Sequence, residues 1–187
     1  MNEAAARPRA LVVYESMFGN TEQIAAAVAR GLQLEEVDTG LVEVSSASNE
    51  LTSGLDLLVV GGPTHAFSLS RTSTRADAVR QGAPEQRAQL GLREWLESVR
   101  LPQGQAPEVA SFSTMVTKVR WVPKSAGSTA AHLARRHGLR ATRRPMGFLV
   151  DDTRGPLLGG ELERAVAWGR RLGVELVDRA AVSGLSR

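Results

Sequence analysis

Two short stretches concentrate residues whose chemistry suits the holding of a small molecule. The first, "ESMFGNT" (15–21), places hydroxyl, amide and glycine residues between an apolar run and an amphipathic segment. Such a turn presents backbone N–H groups at the positive end of a helix dipole, with Ser16, Asn20 and Thr21 as additional donors. Gly19 lets the backbone turn close to a ligand with no Cβ in the way. The chemistry this fits is recognition of a phosphate by neutral groups. No lysine follows as in a nucleoside-triphosphate loop, and the Gly-x-Gly-x-x-Gly dinucleotide spacing is absent, so a terminal monophosphate is the better match. The same turn reads equally as an ordinary helix start capped by Asn20 or Thr21. The second stretch, "GGPTHAF" (61–67), closes another apolar run with small residues, a proline and His65.

Elsewhere the chain offers little other chemistry. The absence of cysteine excludes disulfides, thiolate metal sites and cysteine nucleophiles, and His65, His132 and His137 lack metal-ligand spacing. No nucleophile is accompanied by a base in a pattern that points to hydrolysis. Asp151 and Asp152 in "FLVDDTRGPL" have the chemistry for acid–base work or magnesium binding, but read more simply as loop and cap residues with Arg154 as partner. Ser125, Ser128 and Thr129 stand at a helix start and read as caps. Net charge is +3, and all of the 23 basic side chains except Lys118 and Lys124 are arginine. Their densest cluster, "ARRHGLRATRR" (134–144), has no aromatic residues to stack bases. It reads as a helix end, with Arg135, Arg136 and His137 opposing the dipole before Gly138 caps it, and no nucleic-acid partner is expected. No apolar run approaches the roughly 20 residues that span a bilayer, and "MNEAAARPRA" lacks the apolar centre of a signal peptide. The expectation is a cytoplasmic protein without a membrane partner.

The elements that must position the two stretches follow from periodicity. A length of 187 residues with 42% hydrophobic content suits one domain, placed at 9–180 between a loose N-terminus (1–8) and a loose C-terminus (181–187). Continuous apolar runs alternate with helical patterns, as in a parallel sheet covered on both faces. Strands are expected at 10–14, 41–44, 55–62, 109–113 and 147–150. The first helix turns Ile24, Ala25, Val28 and Leu32 to one face, and a later one carries Leu92, Trp95, Leu96 and Val99. Two more are expected at 125–138 and 161–177, the last facing the sheet through Leu162, Ala165, Val166, Gly169, Leu172 and Leu176. Segment 64–89 shows no period. Five strands, with helices between them and after the last, define a doubly wound α/β domain of three layers. In the order 2-1-3-4-5 the winding reverses between strands one and three, and ligands bind beyond their carboxyl ends. The stretches 15–21 and 61–67 stand at those ends.

"SMFGNT" followed by a helix, "VVGGPTHAF" about 40 residues later and "FSTMV" after the fourth strand together resemble the flavodoxin-like family, whose members bind FMN. The resemblance covers nearly the whole chain as an ordered set of elements, and three loops in particular. It implies FMN as cofactor, with Ser16, Met17, Phe18, Gly19, Asn20 and Thr21 around the phosphate. It also implies that Pro63, Thr64, His65, Ala66 and Phe67 lie along one side of the isoalloxazine ring. Ser113, Thr114, Met115 and Val116 would line the other, with backbone amides toward the pyrimidine edge.

Three departures from the family pattern bear on function. Phe18 stands where flavodoxins usually carry a second small hydroxyl residue. After the fourth strand, "STMVTKV" offers Met115 and Val116 in place of the tyrosine or tryptophan that commonly stacks on the flavin. Phe67 and Trp121 are the available substitutes; core packing explains Phe67 equally well and is the preferred reading of Trp121. Electron-carrying flavodoxins are strongly acidic, whereas this chain is net positive, with His65, Arg71 and Arg75 just past the second loop. A unit charge about 8 Å from the flavin contributes about 2 kcal/mol at an effective dielectric near 20, so a cation there would make reduction easier than in an acidic carrier. The two arginines also read as solvated loop residues, or as ligands for the phosphate of NADPH or an acidic partner. Three functional readings follow. The leading one is an FMN-binding redox protein that passes electrons to or from a partner protein. The second is an FMN-dependent NAD(P)H:quinone-type reductase, with a pocket over the ring built from 64–89 and often completed by a neighbouring subunit. The third is a flavodoxin fold without FMN that serves as an interaction module. The sequence sets no oligomeric state.

Overall fold

The central apolar runs become strands buried on both faces, whereas the strand expected at 41–44 lies largely exposed at the sheet edge. The computed structural model describes residues 7–65, 68–101, 106–117, 125–141 and 143–184. Strands β1 (Arg9–Tyr14), β2 (Asp38–Glu43), β3 (Leu57–Pro63), β4 (Glu108–Val116) and β5 (Met146–Val150) form one parallel sheet in the order β2-β1-β3-β4-β5. Period-two alternation divides the core into two halves. Val12, Leu57, Val59, Ala110, Phe112 and Phe148 meet α1 (Asn20–Leu34) and α5 (Glu161–Gly184) on one face. Val13, Leu58, Val60 and Val109 meet α3 (Leu92–Ser98) and α4 (Ala126–Arg136) on the other. The expected doubly wound architecture and strand order are observed. Ile24, Ala25, Val28 and Leu32 are all buried, as their spacing on α1 requires.

Three regions differ from the expectation, each for a physical reason. The connection from β2 to β3 contains no α-helix. It is a 3-10 turn (Val44–Ser46) and an irregular segment that buries Val44, Leu51 and Leu55 against the α3/α4 half of the core. Its hydroxyl-rich sequence carries no helical apolar stripe and satisfies the backbone locally, as where Ser48 accepts from the Glu50 N–H. Segment 64–89, which shows no period, holds α2 (Thr72–Arg80) and a 3-10 turn (Glu85–Ala88). The only residues α2 buries are Arg75 and Ala78, so nothing in its hydropathy marks it as a helix. The ends of elements also shift. β4 continues past Ser113 to Val116, and α5 runs past 177 to Gly184, so 181–184 are helical. Leu162 on α5 is 40% exposed rather than facing the sheet, while Trp168, absent from the expected face, is buried. Residues 1–6 and 185–187 of the expected loose termini lie outside the described residues. Among the described residues, no helix is long and apolar enough to cross a membrane.

Glycine decides how closely α1 and α5 approach. An ideal Cβ on Gly31 would lie 2.3 Å from the Val166 carbonyl oxygen, and one on Gly169 would lie 2.2 Å from that of Val28. Phe112, Phe148 and Trp168 meet edge-on in the same half of the core, with ring centroids 6.1 to 6.2 Å apart. Alanine gains about 1 kcal/mol over glycine in helix propensity. A Cβ set inside a facing backbone works against that gain by forcing the helices apart, at about 1–3 kcal/mol or more for overpacking. Gly169→Ala is therefore expected to destabilise the fold by about 2 kcal/mol, lowering the thermal midpoint by roughly 5 °C in a circular dichroism melt. Gly159→Ala is the control, since its Cβ meets nothing within 4 Å.

Candidate functional site

The carboxyl ends of β1 and β3 open onto a crevice where the chain reverses its winding direction. β1 delivers Glu15 and Ser16, both fully buried, and the turn continues through Met17, Phe18 and Gly19 into α1. Gly19 is the N-cap of α1 at φ +89°, a left-handed conformation strained for residues with a side chain. A Cβ at Gly19 would meet nothing within 4 Å, so conformation selects the glycine and the space over it is open. Neither Asn20 nor Thr21 caps the helix, in contrast to the sequence reading. The left-handed turn brings Ser16 back over the helix start, where its hydroxyl accepts from the Gly19 N–H at 3.1 Å and the Glu22 N–H at 3.2 Å. Asn20 and Thr21 are buried instead. The Thr21 and Thr114 hydroxyls lie 2.8 Å apart, and the Asn20 carboxamide packs against Gly155. If Thr114 donates in that pair, Thr21 keeps its own proton for another acceptor.

The second loop is tied to the same end of the sheet. Pro63 pairs with Thr114 in the ladder, and the Thr64 N–H donates to the Thr114 carbonyl at 2.8 Å. The Thr64 hydroxyl accepts from the Ala126 N–H at 3.2 Å at the start of α4, where Ser125 and Ser128 form a capping box, as their positions led us to expect. His65 and Ser68 exchange backbone hydrogen bonds of 2.9 and 3.0 Å. Ala66, Phe67 and Trp121 lie outside the described residues. On β4, Ser113 is buried with its hydroxyl unpartnered, and Met115 and Val116 are half-buried. The stretches 16–21, 63–65 and 113–116 therefore converge, joined through Thr114.

α2, illegible in the sequence, contributes directly. Met17 and Phe18 pack against Ala78, Ala83 and Ala88. A cleft of about 160 Å³ lies between Phe18 and His65, walled by Thr74, Asp77, Ala78, Gln81 and Thr153. The Nε2 of His65 is buried without a partner. Burial, and secondarily the Arg75 charge, hold the imidazole below the usual histidine range, so it is neutral at physiological pH. Two arginines fasten the cover. Arg87 donates to the Ser16 carbonyl at 3.2 Å and pairs with Glu22 at 2.7 Å. Arg154, expected beside Asp151 or Asp152, instead lies 5.9 Å from the Phe18 ring centroid and donates to the Gln81 carbonyl. Asp151 and Asp152 are exposed, and no cluster of acidic and histidine side chains able to hold a metal occurs among the described residues.

Arg75 is neither a solvated loop residue nor available to an external phosphate. It is 3% exposed, grips Glu94 on α3 with two hydrogen bonds of 3.1 and 3.2 Å, and also donates to the Ser70 hydroxyl and the Ala88 carbonyl. Close by, one Glu15 oxygen accepts from the Leu92 N–H at 2.8 Å while the other has no partner. Burial raises the Glu15 pKa above the usual carboxyl range, and Ser70, the Leu92 amide and Arg75 offset part of that rise. The folded protein thus binds this proton more tightly than the unfolded chain. The resulting stability is complete below the ordinary carboxyl range and is lost as pH rises through the elevated value. Glu15→Gln, which cannot ionise, is expected to resist urea better than the native chain at about pH 7 and to match it at about pH 4. A native chain more stable than the variant near neutrality would contradict this account.

No protein-family model matches the chain. Solved structures match it in fold. A flavodoxin from the domain Archaea superposes with a TM-score of 0.60 at 17% identity, covering 90% of this chain and 98% of its own. A WrbA-like flavodoxin from Agrobacterium tumefaciens gives 0.53 at 20% identity, covering 91% and 98%. Rubredoxin oxygen:oxidoreductase from Desulfovibrio gigas gives 0.60 at 16% identity over 94% of this chain, which spans only 38% of that larger protein. Five parallel strands in the order β2-β1-β3-β4-β5, wound by helices on both faces, give the chain a flavodoxin-like fold.

Proposed function

We propose that this chain binds FMN noncovalently at the ends of β1 and β3 and exchanges electrons with a redox partner protein. The carrying observation is the turn 16–21, in which a left-handed glycine with open space over it starts the 15-residue α1 at the switch point of the sheet. In flavodoxin-like sheets of this order, that crevice is where FMN is held. The residues present fit the group. The N-terminus of α1 favours a dianionic phosphate. Two buried polar atoms at the same end, Ser113 Oγ and His65 Nε2, have no protein partner, as befits a site that takes a polar ligand.

Ser16, Met17, Phe18, Gly19, Asn20 and Thr21 would surround the phosphate, while Pro63, Thr64, His65, Ala66 and Phe67 would flank one side of the ring. Ser113, Thr114, Met115 and Val116 would flank the other. When bound, FMN supplies electron transfer in one- or two-electron steps. The protein supplies orientation, exclusion of water and the local field. Phe18 contributes no hydroxyl, and its ring instead supports Arg154 and α2 over the turn. Glu94 neutralises Arg75, so that arginine is not the cation that would ease reduction, nor a ligand for the phosphate of NADPH. Arg71, at the start of α2, is exposed, as the solvated-loop reading expects.

Titration with FMN is expected to give saturable quenching of flavin fluorescence. Asn20→Ala should weaken binding about tenfold, the equivalent of one hydrogen bond of about 1 to 1.5 kcal/mol. A bound flavin that stays oxidised under anaerobic NAD(P)H supports the carrier, and rapid bleaching would move the assignment to the reductase. A folded chain that takes up no FMN would leave an interaction module.

A further inference from the structure

We propose that Glu15, Arg75 and Glu94 form a proton-controlled latch on α2. While Glu15 keeps its proton, Arg75 stays on Glu94 and α2 is fastened; when that proton passes to water, Arg75 turns to Glu15 and the helix is freed. This holds whether or not FMN binds, since it concerns only how the chain fastens its own helix. α2 buries only Arg75 and Ala78, and Arg75 is what ties it to α3, through the two bonds to Glu94. Undoing that pair leaves α2 with little apolar contact to hold it.

The arrangement sets one guanidinium between two carboxyl groups. Arg75 Nη1 donates to the Ser70 hydroxyl at 3.0 Å as well as to Glu94, and the same hydroxyl neighbours the Glu15 carboxyl. Glu15 has a buried oxygen with no partner, placed to take a further donor. With a proton on Glu15 the node is neutral, Arg75 being balanced by Glu94. Without it, two negative charges share one cation away from bulk water, and one of them must give way. Unequal burial decides which. Glu15 is fully buried, whereas the Glu94 side chain is 35% exposed, so Glu94 turns to solvent at far lower cost. The other groups facing the node do not supply this change of charge. β3 presents only Gly62 to Glu15, α3 adds the Leu92 amide and Arg93, and the loop after β3 brings His65 within reach of the Arg75 charge. Arginine keeps its charge and His65 is neutral from physiological pH upward, while burial raises the pH at which Glu15 ionises. Because Ala78 packs with Met17 and Phe18, an unfastened α2 also uncovers the turn 16–21.

Hydrogen–deuterium exchange, corrected for the intrinsic rate at each pH, tests the latch on the native chain, Glu15→Gln and Glu94→Gln between about pH 5 and about pH 9. In the native chain, protection across 74–80 is expected to fall roughly tenfold per pH unit once Glu15 begins to ionise, because one proton leaves with each opening. The amides of β3 remain far better protected than those of α2. Glu15→Gln keeps α2 protected at every pH. Glu94→Gln has no pair to release, so its α2 is weakly protected at the acid end and falls no further. A native profile without the slope, or the same slope persisting in either variant, would overturn the latch. So would equal protection of α2 and β3 throughout, since the proton would then act on the whole fold. Either variant carries the test if the other does not fold.

Discussion

The backbones of α1 and α5 touch at Gly31 and Gly169, and that contact sets how α1 lies against the sheet. Because α1 begins at Gly19, its position also fixes where the turn 16–21 meets the ends of β1 and β3. The α5 side of the same contact anchors the segment that leaves β5, whose Gly155 packs on the Asn20 carboxamide and whose Arg154 covers Phe18. Side chains at the two glycines would drive the helices apart by ångströms, and protein interiors do not absorb such shifts without repacking. A geometry built from turns at the edge of the sheet is thus governed by a contact deep between two helices.

Beyond the carboxyl ends of the strands, where α2 lies, polar groups do the work that apolar packing does in the two halves of the core. α2 has almost no apolar residues to bury, and it is held instead by Arg75, which reaches Glu94, Ser70 and the Ala88 carbonyl from a fully covered position. A buried guanidinium is costly unless every donor finds geometry this good, and the same requirement makes the arrangement specific. Glu15 next to it is less well served, with one oxygen unpartnered and its proton held tightly. It connects the end of β1 to the start of α3, so the residue immediately before the candidate phosphate turn belongs to the same polar node that anchors the cover over it.

This division of labour accounts for the character of the candidate site. The sheet and the helix dipole of α1 supply the switch-point end of the fold, while Phe18, α2, Arg87 and Arg154 build a cover beside the turn 16–21.

The five strands and the faces of α1 were legible because burial on both sides of a parallel sheet demands continuous apolar runs, and burial on one side of a helix demands a 3.6-residue period. The turn 16–21 was legible as a break between the first strand and α1 because a glycine among small and hydroxyl residues interrupts both patterns. α2 was not, since a helix fixed by one buried ion pair leaves no periodic trace, and neither was the helix-free passage from β2 to β3. Nor did the residues themselves reveal that Ser16 rather than Asn20 or Thr21 accepts the N–H groups at the start of α1, that Thr21 meets Thr114, or that Arg75 turns inward. Each of those outcomes joins groups distant in the chain or depends on a local turn that only the packed fold holds in place. The sequence by itself determined the architecture and the strand ends at which the winding reverses, because hydropathy acts through local pattern. Tertiary structure alone decided which polar groups at those ends pair and which do not, because hydrogen-bond and ion-pair partners are chosen by proximity in space.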